Sequence, residues 1–328
     1  MIFPLIIIFM AFIFDFYNGM NDAANSIATV VSTRVLTPTQ AVIWAAFFNF
    51  AAAFIFGVGV ANTIGKGIVD IAVIDNTVML ATLVGAIITS ASATHLGLPI
   101  SISHAIIGGL GGAAFIKAGS GAIISSGILK VFAFIFLAPI LGFLVSIIFS
   151  IVTMWIVRNK QPHKVDHYFR KLQLLSAGLY SLSHGSNDAQ KTMGIITLVL
   201  VTNGFISSFH VPFWVEITSY SVISLGTLIG GRKVIKTLGM RMTKLSPFGG
   251  FSAESASGLT IIFATILGIP VSTTHTITGS IAGVGILKGV NGISWGVARN
   301  ILWAWVLTIP LSAFFAIMAF YVITFLLH

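Results

Sequence analysis

The sequence predicts an all-α integral membrane protein in two inverted-topology repeats, from three observations. Apolar residues make up 56% of the 328 positions and charged residues only 8%, with a mean hydropathy of +1.03. A soluble domain carries roughly 25% charged residues, so this chain cannot cover itself with a hydrated surface. Apolar stretches of spanning length recur, and two motifs occur twice in the same order. The absence of cysteine excludes disulfides, thiolate metal sites and cysteine nucleophiles.

Ten apolar segments follow one another along the chain, and a membrane span needs about 20 residues. Several segments are longer than that or contain polar motifs. Broken or re-entrant helices therefore bring the expected count to about 10–12 transmembrane or re-entrant helical segments. The first segment lacks a basic n-region, which favours a spanning helix over a removable signal peptide. The segments cover residues 2–33, 41–61, 77–96, 99–116, 126–157, 174–201, 211–230, 248–268, 270–287 and 294–327.

Basic residues cluster in two polar connections, 158–173 and 231–246, each with five lysines and arginines. The positive-inside rule places both loops on the cytoplasmic side, and both termini then lie outside. This threading puts thirteen lysines and arginines inside and three outside. The net charge of +9 therefore reflects membrane topology, and nucleic acid is not an expected partner. The three outside residues are Lys66, Lys117 and Lys130.

Two repeated motifs indicate an internal duplication. Residues 18–23 return as 184–189 with an offset of 166, and residues 96–104 return as 267–275 with an offset of 171. Five crossings separate the copies, so the second repeat is inverted relative to the first. Inverted repeats are typical of secondary transporters, which bind substrate and coupling ion near the bilayer midplane. The expected organisation is a first inverted repeat at 1–157, a cytoplasmic basic loop at 158–173 and a second inverted repeat at 174–328.

A Gly-x-Asn-Asp motif lies inside an apolar segment in each repeat, with Asn21-Asp22 in the first and Asn187-Asp188 in the second. A carboxylate at such a depth is costly unless it is paired or coordinated. Glycine and asparagine disfavour continuous helix, so we expect a break that exposes backbone carbonyls. Carboxylate, amide and carbonyl oxygens together predict a sodium site, with Glu254 as an accessory ligand. The alternative is a helix-packing glycine beside a capping aspartate.

A Pro-x-Ser-x-Ser/Thr-His motif also occurs in each repeat, and Pro99 and Pro270 suit the first turn of a helix. Free backbone amides and the positive end of the helix dipole make such an N-terminus an anion site. Glycines downstream allow the close contacts of a re-entrant hairpin. Ordinary capping of a kinked helix is the alternative. The predicted anion ligands are Asn25, Ser101, Ser103, Gln190, Ser272, Thr273 and Thr274.

The sequence leaves the roles of three further residues undecided. His104 and His275 are equivalent in the two repeats, and their serine and threonine neighbours favour a hydrogen-bonded structural role. Lys191 follows Asp188 by three residues and would share its face on a helix. An ion pair with Asp188 and a direct contact with the anion both remain open for Lys191.

Together these motifs resemble the inorganic phosphate transporter (PiT) family, prokaryotic type. Gly19–Asn25 fits its Gly-x-Asn-Asp-x-Ala-Asn-like signature, and Gly185–Lys191 is similar to the bacterial form of the second copy. Residues 250–254 match as well, so the resemblance spans nearly the whole chain. It implies import of inorganic phosphate driven by a sodium or proton gradient. Eukaryotic members carry a long insertion at the position of 158–173, so the short loop predicts a multi-pass protein of a prokaryotic plasma (inner) membrane.

The predicted function is secondary active phosphate import by alternating access, with sodium favoured over protons. Two Asn-Asp motifs predict two sodium ions bound beside one phosphate as co-substrates, and no covalent cofactor. A passive anion channel competes, but paired intramembrane acids argue against it. A hydrolase is disfavoured because a nucleophile and its base normally come from separate segments and appear once. The expected partners are phosphate, sodium or protons and the lipid bilayer, and a homodimer is compatible with this architecture.

Overall fold

Helices form most of the chain in the computed structural model, which describes residues 2–230, 234 and 242–327. The β-structure within those ranges is a single isolated bridge between Val69 and Ile123. The predicted basic loop at 231–246 lies mostly outside the described residues. The α-helices of the ranges 2–230 and 242–327 are α1 (Ile2–Ser32), α2 (Pro38–Ala51), α3 (Gly59–Lys66), α4 (Asn76–Leu96), α5 (Ile102–Ala118), α6 (Ser125–Val157), α7 (Pro162–Thr202), α8 (Phe213–Ile229), α9 (Pro247–Ile266), α10 (Thr273–Ile286) and α11 (Trp295–Leu327).

Each of the ten predicted apolar segments corresponds to a helix or to a helix pair. α1, α4, α6 and α11 are individually long and apolar enough to cross a membrane. The segment predicted at 41–61 is broken, because α2 ends near Ala51 and α3 continues at an angle of 83° to it. The all-α membrane fold is therefore confirmed, and one predicted span is a bent pair of helices.

The stretch 158–173 is helical from Pro162 onward, where the sequence predicts a loop. Proline suits the first turn of a helix, and an exposed ion pair across one turn joins Arg170 Nε to Asp166 Oδ2 at 3.0 Å. Most of these side chains are exposed, as expected for a polar connection. Arg170 Nη1 also donates to Arg34 O at 3.3 Å, so two residues predicted on the same side of the membrane lie together.

The packing of the helices repeats between the two halves. α5 packs on α11, and its counterpart α10 packs on α6, so each helix contacts the last helix of the other half. A methyl group on Gly108 would lie 2.5 Å from Ile309 O, and one on Gly279 would meet Pro139 O. The glycines of the predicted hairpins therefore permit close helix contacts, as the sequence predicts.

The helices that contain the Asn-Asp motifs are continuous, which corrects the prediction of a helix break. α1 and α7 run through the motifs and pack against each other. Gly19 faces Ile223 O, and a methyl group on Gly185 would lie 2.7 Å from Asn49 O. These glycines serve close packing with α8 and α2, and tertiary contacts outweigh their low helix propensity. The side chains of α1 and α7, not freed backbone carbonyls, bring polar groups to the interior.

Candidate functional site

The N-termini of α5 and α10 are built in the same way. Ser101 Oγ accepts from His104 N at 3.3 Å, and Ser272 Oγ accepts from His275 N at 3.2 Å. Each serine is thus the N-cap and satisfies one of the amides that a helix start leaves free. The two prolines precede these caps by two residues and are not in the first turn, which corrects their predicted position.

These two N-termini bond directly to each other. Ser103 Oγ donates to Val271 O at 3.0 Å, and Thr274 Oγ1 donates to Ile100 O at 3.0 Å. The residues of the two bonds are equivalent under the offset of 171. The bonds therefore lie symmetrically about a pseudo-two-fold axis, where residues 168 and 174 positions apart in sequence form one buried cluster.

The paired histidines contribute to this contact as packing residues. The His104 and His275 rings lie edge to face with centroids 4.7 Å apart, and His275 stacks on Trp305 at 3.7 Å. Trp305 Nε1 donates to Pro99 O at 3.2 Å. These contacts support the structural role that the sequence favours for both histidines.

The motif asparagines hold α1 and α7 to the last turns of α4 and α9. Asn21 Nδ2 donates to Thr94 Oγ1 at 2.9 Å, and Asn187 Nδ2 donates to Thr265 Oγ1 at 2.9 Å. The threonines are again equivalent under the offset of 171. Asn21 Oδ1 has no hydrogen-bond partner among the described residues, so a buried acceptor oxygen remains beside Asp22.

Asp22 connects the motif of the first repeat to the hydroxyl groups of the second. Its carboxylate accepts from Thr273 Oγ1 at 3.3 Å. Thr274 Oγ1 lies 3.3 Å from Asp22 Oδ1, and its single hydroxyl hydrogen is shared between this oxygen and Ile100 O. Asn25 Nδ2 donates to Thr274 Oγ1 at 2.9 Å. The structure thus brings together four of the predicted ligands from α1 and α10, all of them buried.

Asp188 has a different partner, because Lys191 Nζ lies 2.7 Å from its Oδ1 atom. The same ammonium group donates to Val271 O at 3.2 Å. Both side chains are fully buried. Of the two roles left open for Lys191, the structure shows the ion pair, and Asp188 is therefore not equivalent to Asp22 despite the matching motifs.

His184 lies between the two acids, a contact that the sequence did not predict. Its Nε2 atom is 3.7 Å from Asp22 Oδ2 and 3.8 Å from Asp188 Oδ2, and its Nδ1 atom is 3.2 Å from Asn49 Oδ1. Ligand atoms of the three residues all lie within 4.8 Å of one another, so the group has the composition to hold a cation. The sequence feature that could have indicated this contact is the histidine that replaces Asn18 in the second copy of the motif.

Gln190 does not join the hydroxyl groups with which the sequence placed it. Its Oε1 atom accepts from Val60 N at 2.8 Å, and its Nε2 atom donates to Ser186 O at 2.6 Å. Gln190 thereby satisfies the start of α3, a role that depends on the bend after α2 and is invisible in the motif. The amide is occupied by backbone, and we retain only Asn25 as an amide candidate for the anion.

Two further buried acids lie on the same helices or beside them. Glu254 of α9 accepts from Gln173 Nε2 at 3.0 Å and from Ser176 Oγ at 2.5 Å. Gln173 in turn accepts from Thr33 Oγ1 at 2.9 Å, so this network joins α9 and α7 to the residue that follows α1. Neither carboxylate oxygen of Asp15 has a hydrogen-bond partner among the described residues.

Comparison with known proteins decides the family. Residues 18–316 match the model of the phosphate transporter family. The chain belongs to the phosphate transporter family. It is 49% identical over 97% of its length to a probable low-affinity inorganic phosphate transporter of Rhizobium meliloti (strain 1021), covering 96% of that protein. A relative with the same description from Bacillus subtilis (strain 168) is 42% identical over 98% of each chain.

A solved structure described as the sodium-dependent phosphate transporter has the same fold. The two align with a TM-score of 0.89 and 27% sequence identity, over 99% of this chain and 100% of the other. As a member of the phosphate transporter family, the chain is a multi-pass membrane transporter and not an enzyme. The resemblance inferred from its motifs is thereby confirmed.

Proposed function

We propose that this family member imports inorganic phosphate together with a cation, by alternating access around a site at the centre of the two repeats. The observation that carries the proposal is the direct bonding of Asp22 to Thr273 and Thr274. An acidic motif and the start of a hydroxyl-rich helix share one buried cluster, so a cation and an anion would bind as neighbours. The cation would offset the repulsion between Asp22 and the anion, and the bound anion would in turn strengthen cation binding.

Phosphate would bind at the paired N-termini of α5 and α10. Ser103, Thr273 and Thr274 would supply hydroxyl donors there by turning from their present acceptors, Val271 O, Asp22 and Ile100 O, towards the anion. Asn25 supplies an amide, and the helix starts supply backbone N–H groups. Ser101 and Ser272 shape the same N-termini as caps while their hydroxyl hydrogens remain available to the anion. Sulfate lacks the proton of HPO4²⁻, so a nearby carboxylate acceptor would favour phosphate.

Sodium is the cation we propose for the side of Asp22. Asn21 Oδ1 and Asn25 Oδ1 are buried oxygens without a hydrogen-bond partner among the described residues, and both belong to the helix of Asp22. Neutral oxygens around a carboxylate suit a sodium ion, whereas a proton needs no such shell. The sodium dependence in the description of the structural neighbour agrees with this proposal.

Proton coupling is the second candidate, and His184 is the observation that favours it. An imidazole 3.7 Å from Asp22 and 3.8 Å from Asp188 is placed to share a proton with either acid. Under proton coupling, Asn21 Oδ1 and Asn25 Oδ1 would have no cation to coordinate. We rank this candidate second for that reason.

Uptake into proteoliposomes tests the proposal. We expect phosphate to accumulate above the outside concentration when a sodium gradient is imposed at equal pH on both sides, and not when choline replaces sodium. Accumulation with a pH gradient alone would replace sodium by protons. Flux that only dissipates a phosphate gradient would indicate a channel, and sulfate uptake at an equal rate would contradict the phosphate site.

A further inference from the structure

The two halves differ in charge at equivalent positions of their central motifs. The offset of 166 relates Asp22 to Asp188 and Asn25 to Lys191. Asn25 donates to a hydroxyl group of α10, whereas Lys191 forms a buried ion pair with its own aspartate. A neutral amide in one half thus corresponds to an ammonium group in the other.

The contacts of the ammonium group are those of a bound cation. Lys191 Nζ touches one carboxylate oxygen, Asp188 Oδ1, at 2.7 Å and one backbone carbonyl, Val271 O, at 3.2 Å. A carboxylate and a carbonyl of the non-helical connection between α9 and α10 are ligands of the kind that bind sodium in inverted-repeat transporters. The symmetry equivalent of Val271 O is Ile100 O, which lies on the Asp22 side of the axis and accepts from Thr274.

The side-chain oxygens of the motif asparagines also differ between the two halves in their hydrogen bonding. In the second half Asn187 Oδ1 accepts from Val271 N at 3.3 Å. In the first half the corresponding atom, Asn21 Oδ1, and the neighbouring Asn25 Oδ1 have no hydrogen-bond partner among the described residues. The asparagine oxygens beside Asp22 therefore lack a donor or a cation, whereas the asparagine oxygen beside Asp188 already accepts a hydrogen bond from the backbone.

We infer that Lys191 is a tethered cation that takes the place of a second coupling ion, so that one cation per phosphate enters, at Asp22. This inference rests on the proposed cation-coupled transport. Asp22 and Asp188 are the two acids beside the site, and Lys191 neutralises the second. A mobile ion at Asp188 would have to displace a fully buried ammonium group from its carboxylate, which would leave a buried charge unpaired. The expectation of two sodium ions from the duplicated motif is replaced by one.

Lys191→Asn tests the inference, because it installs the residue of the first repeat. In the parent protein we expect phosphate uptake to rise with sodium with a Hill coefficient of about one. In Lys191→Asn we expect a coefficient approaching about two, with uptake restored only at higher sodium. Lys191→Arg retains the positive charge and should keep a coefficient of about one. Lys160→Asn, at an exposed position, is the matched control and should behave as the parent.

Binding provides a second readout that does not depend on turnover. Sodium should stabilise purified Lys191→Asn against heating more steeply than the parent, since two ions then bind the folded state. Lys191→Gln replaces Lys191→Asn should the latter not fold. A parent coefficient of about two, or an unchanged sodium response in Lys191→Asn and Lys191→Gln, would overturn the inference while leaving cation-coupled transport intact. Parent uptake that is independent of every cation gradient would instead overturn the proposed function.

Discussion

Single side chains have different tasks in the two repeats although the motifs around them match. Asp22 accepts from two threonines of α10, whereas Asp188 pairs with Lys191. Asp22 has no ammonium partner at hydrogen-bond distance among the described residues, so its carboxylate can pair with a bound cation. The carboxylate of Asp188 already pairs with an ammonium group. At the residue scale, the proposed cation site therefore belongs to the first repeat, whereas in the second repeat Lys191 balances the charge of Asp188.

The first prediction at this scale concerns Asp22. We expect Asp22→Asn to raise the half-saturating sodium concentration at least about tenfold, because hydrogen bonds and ion contacts to a charged group contribute about 1.5–3 kcal/mol each. The measurement is sodium-dependent phosphate uptake at saturating phosphate. Asp166→Asn removes an exposed carboxylate that pairs with Arg170 and serves as the control. Normal sodium activation of Asp22→Asn would remove this residue from the cation site.

The second prediction separates hydroxyl groups that bind phosphate from those that chiefly cap helices. Ser103→Ala with Thr274→Val should raise the half-saturating phosphate concentration by roughly tenfold for each hydroxyl group lost, since hydrogen bonds to an anion are strong. Ser272→Ala should lower stability by about 1 kcal/mol through the lost N-cap, and because it removes one hydroxyl group it should change phosphate affinity less than the double variant does. Phosphate titration and thermal melts of the purified variants measure the two effects. A larger affinity change in Ser272→Ala than in the double variant would reverse these assignments.

Among the helices, α5 and α10 hold the two halves together, because each packs on the last helix of the other half. The contact of α5 with α11 leaves no room for a side chain at Gly108, whereas Gly111 on the same helix faces open space. The start of α5 is held in the centre by this packing as well as by its own cap. The position of the proposed phosphate site therefore depends on glycines that lie outside the site.

The third prediction uses that difference within one helix. Gly108→Ala should destabilise the purified protein by about 1–3 kcal/mol, because its methyl group would lie 2.5 Å from Ile309 O. Gly111→Ala should be neutral or stabilise the protein by up to about 1 kcal/mol, since alanine favours helix. Thermal unfolding in detergent compares the two variants. Equal stability would show that α5 and α11 pack less closely than described.

The whole molecule is arranged so that its two halves exchange contacts around a central pseudo-two-fold axis. Leu98 O and Ile269 O, equivalent under the offset of 171, accept from Asn21 and Asn187. These two connections would face opposite sides of the membrane in inverted repeats. Rocking of one half against the other would open one connection as it closes the other.

The fourth prediction tests this exchange, and the absence of cysteine lets single cysteines be introduced without background. Leu98→Cys and Ile269→Cys should react with an impermeant thiol reagent from opposite faces. Phosphate with sodium should raise the reactivity of one and lower that of the other. Equal reactivity of both variants from both faces in every condition would contradict alternating access.

The fifth prediction concerns orientation. Ser120→Cys and Asn159→Cys are exposed substitutions at the two predicted sides. In right-side-out vesicles the impermeant reagent should label Ser120→Cys and should reach Asn159→Cys only after the membrane is opened. The reverse pattern would invert the predicted topology, with no effect on the contacts of the site.

The sequence by itself determined the class of the fold and the family. Low charge content and recurring apolar segments require a membrane, and the two duplicated motifs specify a repeated transporter architecture. Motif residues such as Asp22, Thr273 and Thr274 were identified because a polar group inside an apolar segment is costly and therefore informative. These are local properties, readable without knowledge of what lies opposite.

The tertiary structure decided which of those residues meet. The continuity of α1 through Gly19, the use of Gln190 to satisfy α3 and the position of His184 between two acids all depend on neighbours far away in sequence. The motif left the partner of Lys191 open, because helical spacing allowed an ion pair as well as a contact with the anion. Equivalent motifs acquire different roles once packing assigns their partners, since the energy of a buried charge depends on what surrounds it.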